Sequence, residues 1–226
     1  MSVPANIQRV RERIADSAAR SGRAPEDVRL VVVSKTWPAT VIERAIDAGV
    51  TDLGENRAQE LAEKAAQISG VRWHFVGHLQ SNKVRHVVGV AALVHSVDSV
   101  SLAQTIAKRA LAQGLEQEIL LEVNVSGEEA KQGVPPADLA RVAEEIAPLE
   151  GVSLRGLMTI PPLPETAEHS RPYLRRLAEL GAELRHLVPS ASELSMGMTR
   201  DLEIAVEEGA TIVRVGEAIF GPRSPA

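Results

Sequence analysis

The sequence predicts an α/β protein that folds as a (β/α)8, or TIM, barrel. Apolar strand-like runs alternate eight times with amphipathic helical stretches along the 226 residues, which is the pattern of a parallel barrel. The first strand-to-helix turn, residues 34–38, contains no glycine. The dinucleotide-binding fingerprint of an open doubly wound sheet is therefore absent. No linker or low-complexity tract divides the chain, so residues 1–226 are expected to form a single domain.

The first elements carry clear boundary signals. An arginine-rich helix is predicted over about 7–21, before the first strand. That strand, 28–34, is rich in β-branched residues, and Pro38 prevents it from continuing. The helix that follows, 39–48, is closed by Gly49 as a C-terminal cap.

The later units repeat the same alternation. Apolar runs predict strands at 52–54, 72–76, 93–96, 118–125, 154–159, 193–195 and 211–215. Helical segments follow these strands, one ending near 68 and the others at about 81–87, 99–113, 136–147, 167–187 and 201–208, with a closing helical turn at 216–220.

Composition excludes several classes of function. The chain has no cysteine, so disulfides, thiolate metal sites and cysteine nucleophiles are ruled out. The net charge of −5 and the lack of a dense basic stripe argue against nucleic acid as a partner. No apolar stretch approaches the roughly 20 residues of a membrane span, and no secretion signal is seen at the start. We therefore expect a soluble cytoplasmic protein with no membrane partner.

Lys35 is the most informative residue of the sequence. It lies at the C-terminal tip of the first buried strand, whereas the other four lysines (64, 83, 108 and 131) are predicted on helix faces or in loops. A lysine whose pKa is lowered by desolvation can form a Schiff base. The alternative is a strand-end lysine that packs its stem and keeps its ammonium group in water.

The other predicted strand ends are polar as well. A barrel collects its functional groups at these ends, which here carry Lys35, Asn56, His78, Ser96 with Asp98, Asn124, Thr159, Ser195 and Arg214. Arg214 lies inside a strongly apolar strand and so needs a partner, for which a surface ion pair is the alternative explanation.

A phosphate site is predicted after the last two strands. The segment 195–201 opens the seventh helix with hydroxyl groups, a glycine and free backbone N–H groups, and Gly216 offers further donors. The loops after strands seven and eight usually bind phosphate in such barrels. The alternative is that Thr199 is only an ordinary N-cap. Because this segment is paired with Gly216 and faces Lys35 on the adjoining first strand, we favour a phosphate site.

An amine, an arginine and a phosphate site together suit pyridoxal 5′-phosphate (PLP), which needs a Schiff-base lysine and a contact to its pyridine nitrogen. Arginine keeps its own proton, so the ring nitrogen would stay unprotonated and the cofactor would be a weaker electron sink. A barrel that binds a sugar phosphate, with Lys35 as an aldolase lysine, uses the same groups but leaves Arg214 no ring to face.

A series of motifs strongly resembles the pyridoxal phosphate homeostasis protein family, whose members look like the barrel domain of alanine racemase standing alone. The motifs occupy residues 32–36, 54–56, 74–83, 124–126, 131–133, 156–158, 194–198 and 214–216. The resemblance runs from about Val28 to Gly221 and implies a barrel of the alanine racemase N-terminal type with an extra N-terminal helix. It implies that Lys35 carries the cofactor and that Arg214 faces the pyridine nitrogen. The residues implied to bind phosphate are Ser195, Met196, Gly197, Met198, Thr199 and Gly216, and those implied to line the pocket are Asn56 and His78.

The resemblance implies PLP storage, buffering or delivery, and no catalytic residue is assigned. Racemization needs a second base, which alanine racemase takes from a tyrosine of the partner subunit's extra domain. The sequence shows no such domain, and its single tyrosine, Tyr173, is predicted in the sixth helix. The alternative is a PLP-dependent racemase or lyase with His78 as second base. PLP-dependent apo-enzymes are the expected recipients, and a monomer is expected.

Two further expectations concern single residues. Lys131 lies in the loop after the fifth strand and could act as a second acceptor of the aldehyde, or be a plain loop lysine. His74 and His78 have the i,i+4 spacing of a helical metal pair but fall in a strand and its turn, so no metal site is predicted.

Overall fold

The computed structural model describes residues 2–128 and 131–222. Eight parallel strands form a closed barrel in sequence order, with β8 paired to β1. The strands are β1 Arg29–Val33, β2 Asp52–Glu55, β3 Arg72–Phe75, β4 Leu93–Val97, β5 Gln117–Glu122, β6 Val152–Met158, β7 Glu193–Ser195 and β8 Ile212–Val215. The predicted (β/α)8 barrel is confirmed.

Helices surround the barrel, and the extra N-terminal helix is present. The helices are α1 Val3–Arg20, α2 Ala39–Asp47, α3 Ala58–Gln67, α4 Val100–Leu111, α5 Leu139–Ile146, α6 Arg171–Leu187, α7 Leu202–Glu207 and α8 Glu217–Phe220. Within residues 2–128 and 131–222, no helix is long and apolar enough to cross a membrane.

The helix predicted at about 81–87 is present as a 3₁₀ helix, Ser81–His86. Two predicted boundaries were wrong for local reasons. β5 ends at Glu122, because the side chain of Asn124 closes a turn by donating to the Glu128 carbonyl (2.9 Å) and accepting from the Gly127 N–H (3.1 Å). α6 starts only at Arg171, after a 3₁₀ turn at Ala167–Ser170.

On β4, β5 and β8 the side chains inside the barrel change from apolar to polar toward the C-terminal end. An apolar cluster separate from the main core consists of Val31, Leu93, Leu120, Met158 and Ile212. Polar residues lie two positions after three members of this cluster: His95 after Leu93, Glu122 after Leu120 and Arg214 after Ile212. Side chains two apart in a strand share a face, so these polar groups lie inside the barrel toward its C-terminal end.

Helix α1 braces the elements that carry the last two strand ends. It packs against α2, α7 and α8 through a buried face that includes Ile7, Val10 and Ile14. From this helix, Arg13 forms an ion pair with Glu203 (2.6 Å) and donates to the Thr199 carbonyl (3.0 Å). The loop after β7 is thereby tied to a helix outside the barrel.

Candidate functional site

A cavity of about 560 Å³ opens at the C-terminal ends of the strands. Six of the ten predicted cofactor-binding residues line it: Lys35, Asn56, Met198, Thr199, Arg214 and Gly216. A second cavity, of about 500 Å³, lies at the opposite end, beside α1 and the beginnings of β1 and β2. Because functional sites of such barrels lie at the C-terminal ends of the strands, the first cavity is the candidate site.

Lys35 is presented by a strained turn. The Ser34 carbonyl accepts from the Trp37 N–H (3.1 Å), so Lys35 and Thr36 form the two central residues of a tight turn. Thr36 has a φ of 69°, in the region that favours glycine. A β-branched residue in this conformation persists only where its surroundings enforce it, and such strain concentrates at functional sites.

A buried ion-pair network enforces this turn. The ammonium group of Lys64, on α3, donates to the Ser34 carbonyl (2.8 Å), to Glu55 (2.6 Å) and to Glu60 (2.7 Å). The Glu60 carboxylate also accepts from the Thr36 N–H (2.7 Å). The backbone on both sides of Lys35 is therefore held by charged side chains.

The two carboxyl groups of this network differ in pKa. Glu55 is fully buried, and burial raises its pKa although Lys64 and Ser34 donate hydrogen bonds to it. Burial also favours a higher pKa at Glu60. There the hydrogen bonds from Lys64 and from the Thr36 backbone outweigh burial and lower the pKa. Sequence reasoning placed Lys64 on a helix face and missed its burial, since Glu60 and Lys64 have the spacing of an ordinary surface pair.

Arg214 is buried at the base of the cavity, with 4% of its surface exposed. Its Nη1 group donates to Ser195 Oγ (2.6 Å) and its Nη2 group to the Thr159 carbonyl (2.9 Å). Burial lowers the pKa of the guanidinium to about 10, despite the attraction of Glu122 and Asp201. At neutral pH the guanidinium remains charged. The partners that the sequence predicted for it are Ser195 and the Thr159 carbonyl, inside the barrel.

A chain of buried polar groups continues from Ser195. Its hydroxyl lies 2.8 Å from His95 Nδ1, and His95 Nε2 lies 2.9 Å from His74 Nδ1. His74 Nε2 lies 2.9 Å from Asp52 Oδ1, at the beginning of β2. Burial lowers the pKa of His74 and takes that of His95 well below its usual value, so both rings are neutral near pH 7.

The loop after β7 has a fixed backbone. Asp201 accepts from the Met198 N–H (2.7 Å), and Thr199 Oγ1 accepts from the Ala218 N–H of α8 (3.3 Å). Gly197 has a φ of 92°, and a Cβ there would lie 2.4 Å from the Cβ of Ala205. A Cβ at Gly216 would lie 2.9 Å from the Val33 carbonyl. Gly197 therefore permits close packing against the Ala205 side chain of α7, and Gly216 permits a close approach to the backbone of β1.

Four predicted residues do not line the cavity. Ser195, Met196 and Gly197 are buried behind it, and the Ser195 hydroxyl is engaged by Arg214 and His95. His78 is exposed at the rim, with Nδ1 3.7 Å from Asp98. Sequence reasoning placed these groups at strand ends correctly, but the direction of each side chain depends on strand register.

Two other ionisable groups lie near the site. Lys131 lines the cavity, and its ammonium group forms an ion pair with Glu128 (3.1 Å). Glu122, at the end of β5, was not predicted. Burial raises the pKa of its carboxyl to about 7, with repulsion from Asp98 in the same direction and attraction from Arg214 opposing both.

His74 and His78, which have the i,i+4 spacing of a helical metal pair, lie in different surroundings. His74 lies within the barrel in the chain to Asp52, whereas His78 lies at the rim. Among residues 2–128 and 131–222, no three His, Asp or Glu side chains are grouped as a metal site.

Comparison with known proteins agrees with this architecture. The alanine racemase N-terminal domain family matches residues 5–224. A pyridoxal phosphate homeostasis protein of Aquifex aeolicus (strain VF5) is 45% identical over 226 residues, covering 99% of each chain. The structure of PipY from Synechococcus elongatus with PLP bound superposes with a TM-score of 0.81 at 37% identity, covering 94% of this chain and 100% of that one.

A more distant comparison supports the fold alone. Alanine racemase of Clostridium difficile 630 superposes with a TM-score of 0.74 at 15% identity, covering 97% of this chain and 57% of that one. With a family match over nearly the whole sequence and a full-length relative at 45% identity, the chain belongs to the alanine racemase N-terminal domain family and, within it, to the pyridoxal phosphate homeostasis proteins.

Proposed function

We propose that this protein binds PLP as a Schiff base on Lys35 and buffers or delivers the cofactor in the cytoplasm. The observation that carries the proposal is the convergence of Lys35, Arg214 and the backbone of the Met198–Thr199 loop on one cavity. The relatives named for PLP homeostasis and the PLP-bound PipY structure support it.

The residues present fit the three ends of the cofactor. The cavity volume of about 560 Å³ is in the range of small-molecule sites. The Lys35 amine suits an aldehyde, the charged Arg214 suits an unprotonated pyridine nitrogen, and the loops at Met198–Thr199 and Gly216 suit a phosphate. When bound, the cofactor supplies an electron-withdrawing ring, and an arginine at the ring nitrogen keeps that effect weak.

We propose that phosphate contacts come from the loop that Asp201 and Arg13 hold, with Thr199 at the cavity wall. Met196 and Gly197 then act by shaping this loop, and the Ser195 hydroxyl acts on Arg214. Asn56 lines the wall near Lys35, and His78 stays outside the cavity at the rim.

We propose that the protein is not an enzyme. A racemase needs a base on each face of the substrate, and Lys35 provides one. Tyr173 lies on α6, and in the described part of the chain no tyrosine or histidine lines the cavity. The alternative, a racemase or lyase with His78 as second base, is disfavoured because His78 does not reach the wall of the cavity.

Two assays test this function. With L- or D-alanine in deuterated water, we expect negligible racemization by NMR, whereas turnover on the order of 1 s⁻¹ or more would establish an enzyme. In the second assay, an apo-aminotransferase is reactivated by the PLP-loaded protein while a phosphatase destroys free PLP. Reactivation under these conditions supports delivery, and the Lys35→Ala variant is the control. PLP-dependent apo-enzymes are the proposed recipients, and we propose a monomeric carrier.

A further inference from the structure

The polar chain behind Arg214 runs through the whole barrel. Its members come from five strands: Arg214 on β8, Ser195 on β7, His95 on β4, His74 on β3 and Asp52 on β2. All five residues are buried, with at most 6% of their surface exposed. The four contacts that link them measure 2.6, 2.8, 2.9 and 2.9 Å.

The donors of this chain all point in one direction. An ionised carboxylate only accepts, so the pKa of Asp52, lowered by hydrogen bonds from His74 and Thr51 against the effect of burial, requires that His74 Nε2 carry the proton. Neutral His74 then accepts at Nδ1 from the Nε2–H of His95. His95 in turn accepts at Nδ1 from the Ser195 hydroxyl, which leaves the serine oxygen to accept from Arg214.

This polarity determines how Arg214 is held. A serine hydroxyl normally rotates to suit its partners, but here its hydrogen is directed at His95 and its lone pairs at the guanidinium. Nη1 donates to Ser195 and Nη2 to the Thr159 carbonyl, so both terminal nitrogens of the planar guanidinium are fixed. The remaining N–H groups therefore have one orientation. Arg214 also lines the cavity, so that orientation is the one a ligand meets.

Burying so many polar groups brings no obvious gain in stability, because apolar replacements of buried polar networks are often neutral or stabilising. We propose that Asp52, His74 and His95 are positioning residues that fix the guanidinium of Arg214 for the ring nitrogen of the cofactor. The inference rests on the proposed function, in which Arg214 faces that nitrogen. Asp52 would act from the opposite end of the barrel, where it borders the second cavity.

The first test needs no cofactor. Long-range ¹H–¹⁵N NMR of the imidazole rings at pH 7.5 should show both His74 and His95 protonated at Nε2. In Asp52→Ala the acceptor is lost, and both rings should move toward the Nδ1-protonated form. Protonation of His95 at Nδ1 in the unmodified protein would overturn the inference, whatever the protein binds.

The second test measures the effect on the site. Affinity is compared for PLP and for its analogue in which a C–H group replaces the ring nitrogen. The unmodified protein should prefer PLP by about one to two decades, the value of a hydrogen bond to a charged group. Asp52→Ala should reduce this preference by about three- to tenfold, as expected for residues in one network. Asp52→Asn retains an acceptor without the charge, so its preference for PLP should lie between those of the unmodified protein and Asp52→Ala. It serves as the test variant if the alanine variant folds poorly.

Arg72→Gln is the matched control. Arg72 is half exposed and its Nε lies 3.9 Å from Asp52. The change therefore alters the same region without removing a member of the buried polar chain. The preference should then stay within about twofold of the unmodified value. If the unmodified protein binds both ligands equally, the assignment of Arg214 to the ring nitrogen fails. If it prefers PLP but both Asp52 variants retain the full preference, the positioning role alone is overturned.

Discussion

Replacing Lys64 by methionine removes the ammonium group at the centre of the network beside Lys35 while keeping a side chain of similar length. Lys64 makes three hydrogen bonds of 2.6–2.8 Å, and its partner Glu55 is fully buried. Both hydrogen bonds to Glu55 go to Oε1, and Oε2 has no hydrogen-bond partner among the described residues. Removing one partner of a buried pair typically costs about 3–5 kcal/mol, because the other charge stays buried and uncompensated.

We therefore expect Lys64→Met to lower the free energy of unfolding by about 3–5 kcal/mol in urea at pH 7.5, followed by circular dichroism. Adding Glu55→Gln removes the stranded charge and should restore part of the loss. Lys108→Met makes the same change at an exposed position of α4 and should stay within about 0.5 kcal/mol of the parent. A loss of stability in Lys64→Met no greater than that in Lys108→Met, or a double variant no more stable than Lys64→Met, would contradict a buried charge left unpaired at Glu55.

Two further predictions concern the polar interior. For Glu122, whose folded-state pKa is about 7 against an ordinary 4.5, the folded protein holds the proton more tightly, so stability falls as pH rises from about 4.5 to 7. Glu122→Gln should therefore stabilise the protein by up to about 3 kcal/mol at pH 8 but little at pH 5 in urea unfolding; equal gains at both pH values would contradict this. Ser195→Ala should lower the affinity for PLP and for phosphate-free pyridoxal by the same factor in titrations, because the hydroxyl contacts Arg214. Weaker binding of PLP alone would instead place Ser195 on the phosphate.

The barrel and the meeting of Lys35 with Arg214 could be predicted because both follow from strand order. Strand ends of a parallel barrel share one rim, so a lysine after the first strand and an arginine in the eighth must be close. The direction of a side chain needs the register as well. Ser195 was correctly placed at a strand end, but its hydroxyl is turned toward Arg214 and His95.

The two buried networks were missed for different reasons. His74 and His95 lie among apolar residues of their strands and Asp52 begins β2, but the reasoning that a buried polar group needs a partner was applied to Arg214 alone. Applied to all four, it would have indicated a polar barrel interior. Lys64 gave no such signal, since its burial results from how α3 packs on the turn at Ser34, which periodicity does not reveal.

The site of covalent attachment tests the central claim most directly. The protein is loaded with PLP, reduced with borohydride, digested and analysed by mass spectrometry, with Lys35→Ala as the paired sample. We expect the pyridoxyl mass on the peptide that contains Lys35, together with loss of the visible absorption band in the variant. A pyridoxyl mass on Lys131 alone, or a band that persists at full occupancy in Lys35→Ala, would contradict the account.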